Sequence, residues 1–139
     1  MKYILLLFFI IPLQKTNAAT ILSQLAIAAP KPVFIHAVYF WLHDTVTDAQ
    51  KEEFISLLRS FKKINSVKRI YVGHPAGTPR TVVDNTYDIA LIVQFQDKAG
   101  HDDYQTDQIH KDAIRIFEGW IEDIRIYDMV TQKGPGMQY

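Results

Sequence analysis

Five histidines carry most of the reactive chemistry open to this chain, which contains no cysteine. His110 follows Tyr104 by six positions. An imidazole titrates near neutral pH, so His110 can take a proton from a carbon beside a carbonyl. A phenol such as Tyr104 can donate a hydrogen bond to the oxygen that gains the charge. His36 alternates with Val38 and Phe40, so in an extended segment its ring shares their face, and if that face meets the helices it sits at the mouth of an apolar cavity. Each residue also has a plain structural role. His110 near a helix start can cap a loop, a Tyr104–His110 pairing can pin that loop shut, and His36 can be a satisfied core histidine. The residues alone leave both readings open.

The remaining histidines are less informative. His43 beside Asp44 is explained by turn chemistry, and His74-Pro75 falls in a loop where solvent is the default. His101-Asp102-Asp103 resembles a fragment of an oxygen-rich cation site. Hard cations need several converging oxygens, and only two adjacent carboxylates are present, so no metal site is expected. No glycine-rich phosphate loop, helical His-x-x-x-His pair or Gly-x-Ser-x-Gly elbow occurs, and no cofactor is expected. Charge argues against a nucleic-acid partner: the 15 basic and 15 acidic residues balance, and the short cluster Lys62-Lys63 with Lys68-Arg69 reads as a solvated edge.

These side chains need a scaffold. With 139 residues, 48% of them hydrophobic and 22% charged, the chain has the composition of one globular domain. Val33 to Leu42 is dense in β-branched and aromatic residues and reads as a strand with two apolar faces. One face carries Phe34, His36, Val38 and Phe40; the other carries Ile35, Ala37, Tyr39 and Trp41. Thr47-Asp-Ala-Gln50 fits a capping box, and Phe54, Leu57, Leu58, Phe61 and Ile64 keep helical spacing behind it. Val67 to Val72 is a short strand before a loop rich in Gly and Pro, and Tyr87 to Phe95 is the strongest strand. A short helix is predicted within Gln96–Asp107. Ile109, Ala113, Ile114 and Phe117 support a further amphipathic helix that Gly119 terminates. Ile121 to Val130 is the last strand.

The order β-α-β-β-α-β is the ferredoxin-like α+β arrangement, an antiparallel sheet with its helices on one face. On the helix side, Val38, Phe40, Phe54, Leu58, Leu91, Val93, Ile114 and Ile124 are the expected walls of a cavity for a small apolar ligand. The open face still carries Ile35, Ala37, Tyr39, Trp41, Ala90 and Ile92. Covering it with a second copy makes the chain a homodimer.

The N-terminus reads as an address. Lys2 precedes an apolar run from Ile4 to Leu13, then a polar stretch to Ala18-Ala19. This is the layout of a secretory signal peptide, too short to span a bilayer core roughly 30 Å thick. The expected organisation is a signal peptide over 1–18, a tether over 19–32, the domain over 33–130 and a loose tail over 131–139. The chain would thus be secreted or periplasmic, with no stable membrane insertion after cleavage. Loss of Lys2 and Lys15 leaves 13 basic against 15 acidic residues. Without disulfides, the mature chain must rely on packing and association.

Several segments resemble the stress-responsive α/β-barrel (Dabb) family. They are His36-Ala-Val-Tyr-Phe40, Thr47-Asp-Ala-Gln-Lys-Glu-Glu-Phe54, Tyr87-Asp-Ile-Ala-Leu-Ile-Val-Gln-Phe95, Asp103-Tyr104 and His110, in that order. The resemblance runs from about Val33 to Val130. It implies a ferredoxin-like protomer whose sheets pair face to face into a dimeric α+β barrel, and for most members a stress-related or structural role without an established reaction. One plant member closes a polyketide chain by aldol condensation, using a Tyr and a His six residues apart and a His on the first strand. Tyr104, His110 and His36 occupy those positions, which implies a cyclase or lyase with His110 as base and Tyr104 as oxyanion donor. The family often has His or Asp, then Pro, between the Tyr and the His. Asp107 fits and Gln108 replaces the Pro, which bears on the local backbone.

Overall fold

The computed structural model describes residues 31–132; the expected signal peptide, most of the tether and most of the tail lie outside them. Strand β1 (Phe34–Leu42) alternates between buried and half-buried positions along its whole length, as a strand covered on one face must. Thr47 caps helix α1 (Asp48–Ser60) by accepting from the Gln50 N–H, and the Gln50 side chain accepts from the Thr47 N–H in return. The capping box therefore forms as its residue types dictate. Phe54, Ile55 and Leu58 turn inward. A 3₁₀ turn at Phe61–Lys63 leads into strand β2 (Val67–Gly73). Strand β3 (Ile89–Phe95) begins two residues later than its apolar run suggests; just ahead of it the Asp88 carboxylate accepts from the Leu42 N–H at 2.8 Å.

The second helical region is broken. Helix α2 (Lys98–Thr106) ends at Asp107, and helix α3 (Gln108–Phe117) starts from the same residue. Gly119 does not terminate α3 as a left-handed cap. The helix tightens into a 3₁₀ turn at Glu118–Trp120, with right-handed Glu118 as its cap and no positive φ at Gly119. A turn that stays right-handed makes no demand for glycine. Strand β4 (Ile121–Val130) follows, and Thr131 carries pairing one step further, donating its N–H to the Val33 carbonyl at 2.9 Å.

The sheet order is β2-β3-β1-β4, with antiparallel neighbours throughout. This is the ferredoxin-like α+β fold. Phe54, Leu58, Val93 and Phe95 are fully buried between sheet and helices, each worth about 1.5–3 kcal/mol of transfer free energy. Among the described residues, no helix lies over the opposite face. There Tyr39 meets Tyr87 and Tyr127 edge-on at 5.0 and 6.2 Å, and the Arg125 guanidinium lies 5.5 Å from the Trp41 ring centre. Among the described residues no helix is long and apolar enough to cross a membrane.

Candidate functional site

The pairing of β1 with β4 places His36 opposite Asp128, Val38 opposite Ile126 and Phe40 opposite Ile124. Opposed residues of an antiparallel pair project from the same face. His36 Nδ1 accordingly lies 2.7 Å from Asp128 Oδ1, with the ring buried and the carboxylate half-exposed. A carboxylate only accepts, so the shared proton belongs to Nδ1, and the neutral ring keeps its lone pair on Nε2.

Tyr104 and His110 owe their meeting to Asp107. Its carboxylate accepts from the Ile109 N–H at 2.8 Å and caps α3, while its own N–H donates to the Tyr104 carbonyl at 3.2 Å. The chain turns a corner there, and the two rings pack at 4.2 Å between centroids, tilted by 49°. Gln108 is the first residue of α3, the position where proline is favoured because the N–H has no helical acceptor. Glutamine in its place leaves the corner intact. Phe61 closes the back of the pair, 5.6 Å from Tyr104 and 5.2 Å from His110.

A cleft of about 170 Å³ opens beside these rings. His36, Tyr104 and His110 line it together with Val38, Phe40, Leu91, Ile114 and Ile124. Three other expected wall residues, Phe54, Leu58 and Val93, are packed in the core, with exposures of 0%. Phe54 is held by Phe40 at 5.0 Å and Phe117 at 4.5 Å; this aromatic cluster fills the centre and leaves the cleft only towards β4. Gln105, Phe117, Glu118, Ile121 and Ile126 complete the lining. Sequence reasoning passed over them, although Ile126 follows from the alternation that selected Ile124.

Burial dominates the electrostatics. It lowers the His36 pKa against the opposing pull of Asp128, with His101 adding to the lowering. It lowers that of His110 as well, helped by His36 and His101 and opposed by the Gln105 backbone and Asp107. The Nδ1 of His110 is buried and makes no hydrogen bond of normal geometry. Burial raises the Tyr104 phenol far above its usual range. At neutral pH the cleft thus presents neutral imidazoles and a protonated phenol, the forms in which one ring accepts a proton and the phenol donates a hydrogen bond.

The other histidines lie elsewhere. His74 Nδ1 is 3.1 Å from the Asp88 carbonyl, and His43 is exposed, its N–H donating to the Trp120 carbonyl at 3.0 Å. Asp102 is taken by Lys98 at 2.7 Å, so it does not converge with Asp103 on a cation. His101 turns the other way, towards His36, at 4.9 Å between ring centres. Packing of α2 against β1 produces that contact, which the sequence alone does not show.

An antiparallel four-stranded sheet, helices on one face and a cleft with a His-Tyr-His floor define a ferredoxin-like protein of the α/β-barrel class. The Stress responsive A/B Barrel Domain (Dabb) family model matches residues 34–131, and the chain belongs to that family. No curated protein matches the sequence. Among solved structures, the chain is similar to a dimeric ferredoxin-like protein of unknown function from Thermobifida fusca YX. The identity is 23% and the TM-score 0.63, over 76% of this chain and 96% of that one. A Dabb family protein from Mesorhizobium loti is 17% identical with a TM-score of 0.60, covering 73% and 98% of the two chains. The hydroxynitrile lyase from Passiflora edulis is 14% identical with a TM-score of 0.67, covering 76% and 98%. At these identities the likeness is one of fold.

Proposed function

We propose that this Dabb protein is exported, works as a homodimer and binds a small, largely apolar molecule carrying a carbonyl group. One observation carries the reading: a cleft with aliphatic and aromatic walls and three polar rings, His36, Tyr104 and His110, on its floor. Its size limits the ligand. A cavity of about 150 Å³ holds one benzene ring, and drug-sized ligands occupy roughly 300 Å³ or more. A single ring or a short branched chain suits the 170 Å³ here, with a carbonyl oxygen accepting from the Tyr104 hydroxyl. Support for the dimer comes from the half-buried aromatic face of the sheet and from structural neighbours described as dimeric.

A second reading, a lyase or cyclase, draws on the neutral His110 imidazole packed against the Tyr104 phenol. In it, His110 removes a proton beside the carbonyl and Tyr104 steadies the oxyanion, while Asp128 orients His36. A neighbour that is itself a lyase fits this reading. The test is a titration of the chain with small aromatic aldehydes and ketones, followed by NMR shifts at Tyr104 and His110. Saturable shifts in the parent, weakened about tenfold or more in Tyr104→Phe through loss of a buried hydrogen bond, are expected. If no probe moves these resonances, the cleft does not bind such ligands and the protein is structural. Turnover abolished by His110→Gln with binding retained distinguishes the enzyme from the carrier.

A further inference from the structure

A second group of side chains stands just outside the cleft, made of residues from three elements. β1 supplies His36, β4 supplies Asp128 and α2 supplies His101. One donor atom from each lies within 4.8 Å of the other two. We propose that this trio is a binding site for a late first-row divalent ion such as Zn²⁺, Ni²⁺ or Co²⁺.

Its chemistry is selective. Two imidazoles and one carboxylate suit borderline transition ions, whereas Mg²⁺ and Ca²⁺ require mostly oxygen. A tetrahedral ion with bonds of about 2.0–2.2 Å sets its donors roughly 3.4 Å apart. The spacings of at most 4.8 Å would close by no more than about 1.4 Å, while the His36–Asp128 hydrogen bond at 2.7 Å would have to open; Asp128, 42% exposed at its side chain, has room to move.

The rings are already held. His101 is stacked on Phe34 at 4.8 Å and meets Phe95 edge-on at 5.5 Å. Gln105 lies 3.0 Å from its Nε2, and the Asp102 carboxylate lies 3.6 Å from its Nδ1. Only one of these neighbours can orient the ring when the other nitrogen binds an ion, and Asp102 is in turn fixed by Lys98. His36 is buried and fixed by its 2.7 Å contact with Asp128. The ion would have three protein ligands, with the remaining position left to water or to a group entering from the cleft. The site shares only His36 with the proposed ligand cleft, so either can fail without the other.

The experiment is isothermal titration of the untagged full chain with Zn²⁺, paired with the visible absorption of the Co²⁺ form. Saturable binding of one ion per chain is expected. His101→Phe keeps the stacking on Phe34 but removes a ligand, and Asp128→Asn keeps an acceptor for His36 but removes the charge. Each should weaken Zn²⁺ binding by at least about tenfold, while His43→Ala and His74→Ala leave it unchanged. Should His101→Phe fail to fold, the histidine ring nitrogens of the parent decide the matter: Zn²⁺ should shift those of His36 and His101 and spare His110. The absence of saturable binding, equal affinity in folded His101→Phe, or shifts confined to other histidines would overturn the site.

Discussion

His110 is the residue whose environment departs furthest from what its neighbours in sequence suggest. Asp107 lies nearby in the chain, yet burial outweighs it and the ring pKa falls. The consequence for stability has a definite sign. The unfolded chain titrates His110 at its ordinary 6.5 and the folded chain lower. Below pH 6.5 the unfolded state therefore binds the extra proton and gains, so this contribution is complete above that pH and is lost as pH falls towards the folded value. Urea unfolding of the parent and of His110→Gln, above and below pH 6.5, should show the parent losing more stability on acidification. The difference is bounded by about 1.4 kcal/mol per pH unit for one proton. Parallel losses in the two proteins would show that His110 does not titrate differently on folding. The packed Tyr104–His110 pair was legible as a candidate from residue types and order. The partner of His36 was not, because Asp128 is 92 positions away and only strand register brings it within reach.

At the scale of elements, local chemistry predicts well where a single helix turn or strand decides the outcome. The α1 capping box forms between residues three apart, and Thr47→Ala should cost about 0.5–2 kcal/mol in denaturant unfolding with the sheet unchanged. No loss would mean that neighbouring packing, not the cap, holds the helix start. The corner at Asp107 likewise follows from a short polar residue that ends one helix and caps the next. Gly119 shows the limit of such rules. Its type suggests a left-handed stop, but Phe117 is buried against Phe54 and Phe40, and the chain continues right-handed into β4. Phe54, Leu58 and Val93 carry the same lesson for the cleft. Helical and strand periodicity place them on the inner face, but which inner residues are covered and which border open space depends on how three aromatic rings fill the centre.

For the whole molecule, the sheet face opposite the helices is the feature that asks for a partner. Ile35, Ala37, Tyr39 and Trp41 are only half-buried, and Tyr127 and Met129 on β4 are 60% and 57% exposed. A second copy seated here would hide this surface and join the two sheets into one barrel. Sedimentation of the chain at micromolar concentration should give a dimer, and Tyr39→Glu, a charge placed at the centre of that face, should give a monomer. A parent that sediments as a monomer would end the dimer proposal. The apolar segment ahead of Ala18-Ala19 leads to a further expectation at this scale: the protein recovered from expressing cells should lie outside the cytoplasm with its N-terminus at Ala19. Finding the intact Met1 form in the cytoplasm would refute export.

The order of strands and helices, the two-faced first strand, the capping box and the family were written in the sequence, since each depends on residues close together in the chain or on the order of short segments. Tertiary structure alone decided that His36 pairs with Asp128, that His101 joins them from α2, and that the aromatic cluster leaves a cleft of ring-sized volume beside Tyr104 and His110. Those features depend on register and on the fit of side chains from separate elements, and a one-residue slip in the β1–β4 pairing would take Asp128 away from His36.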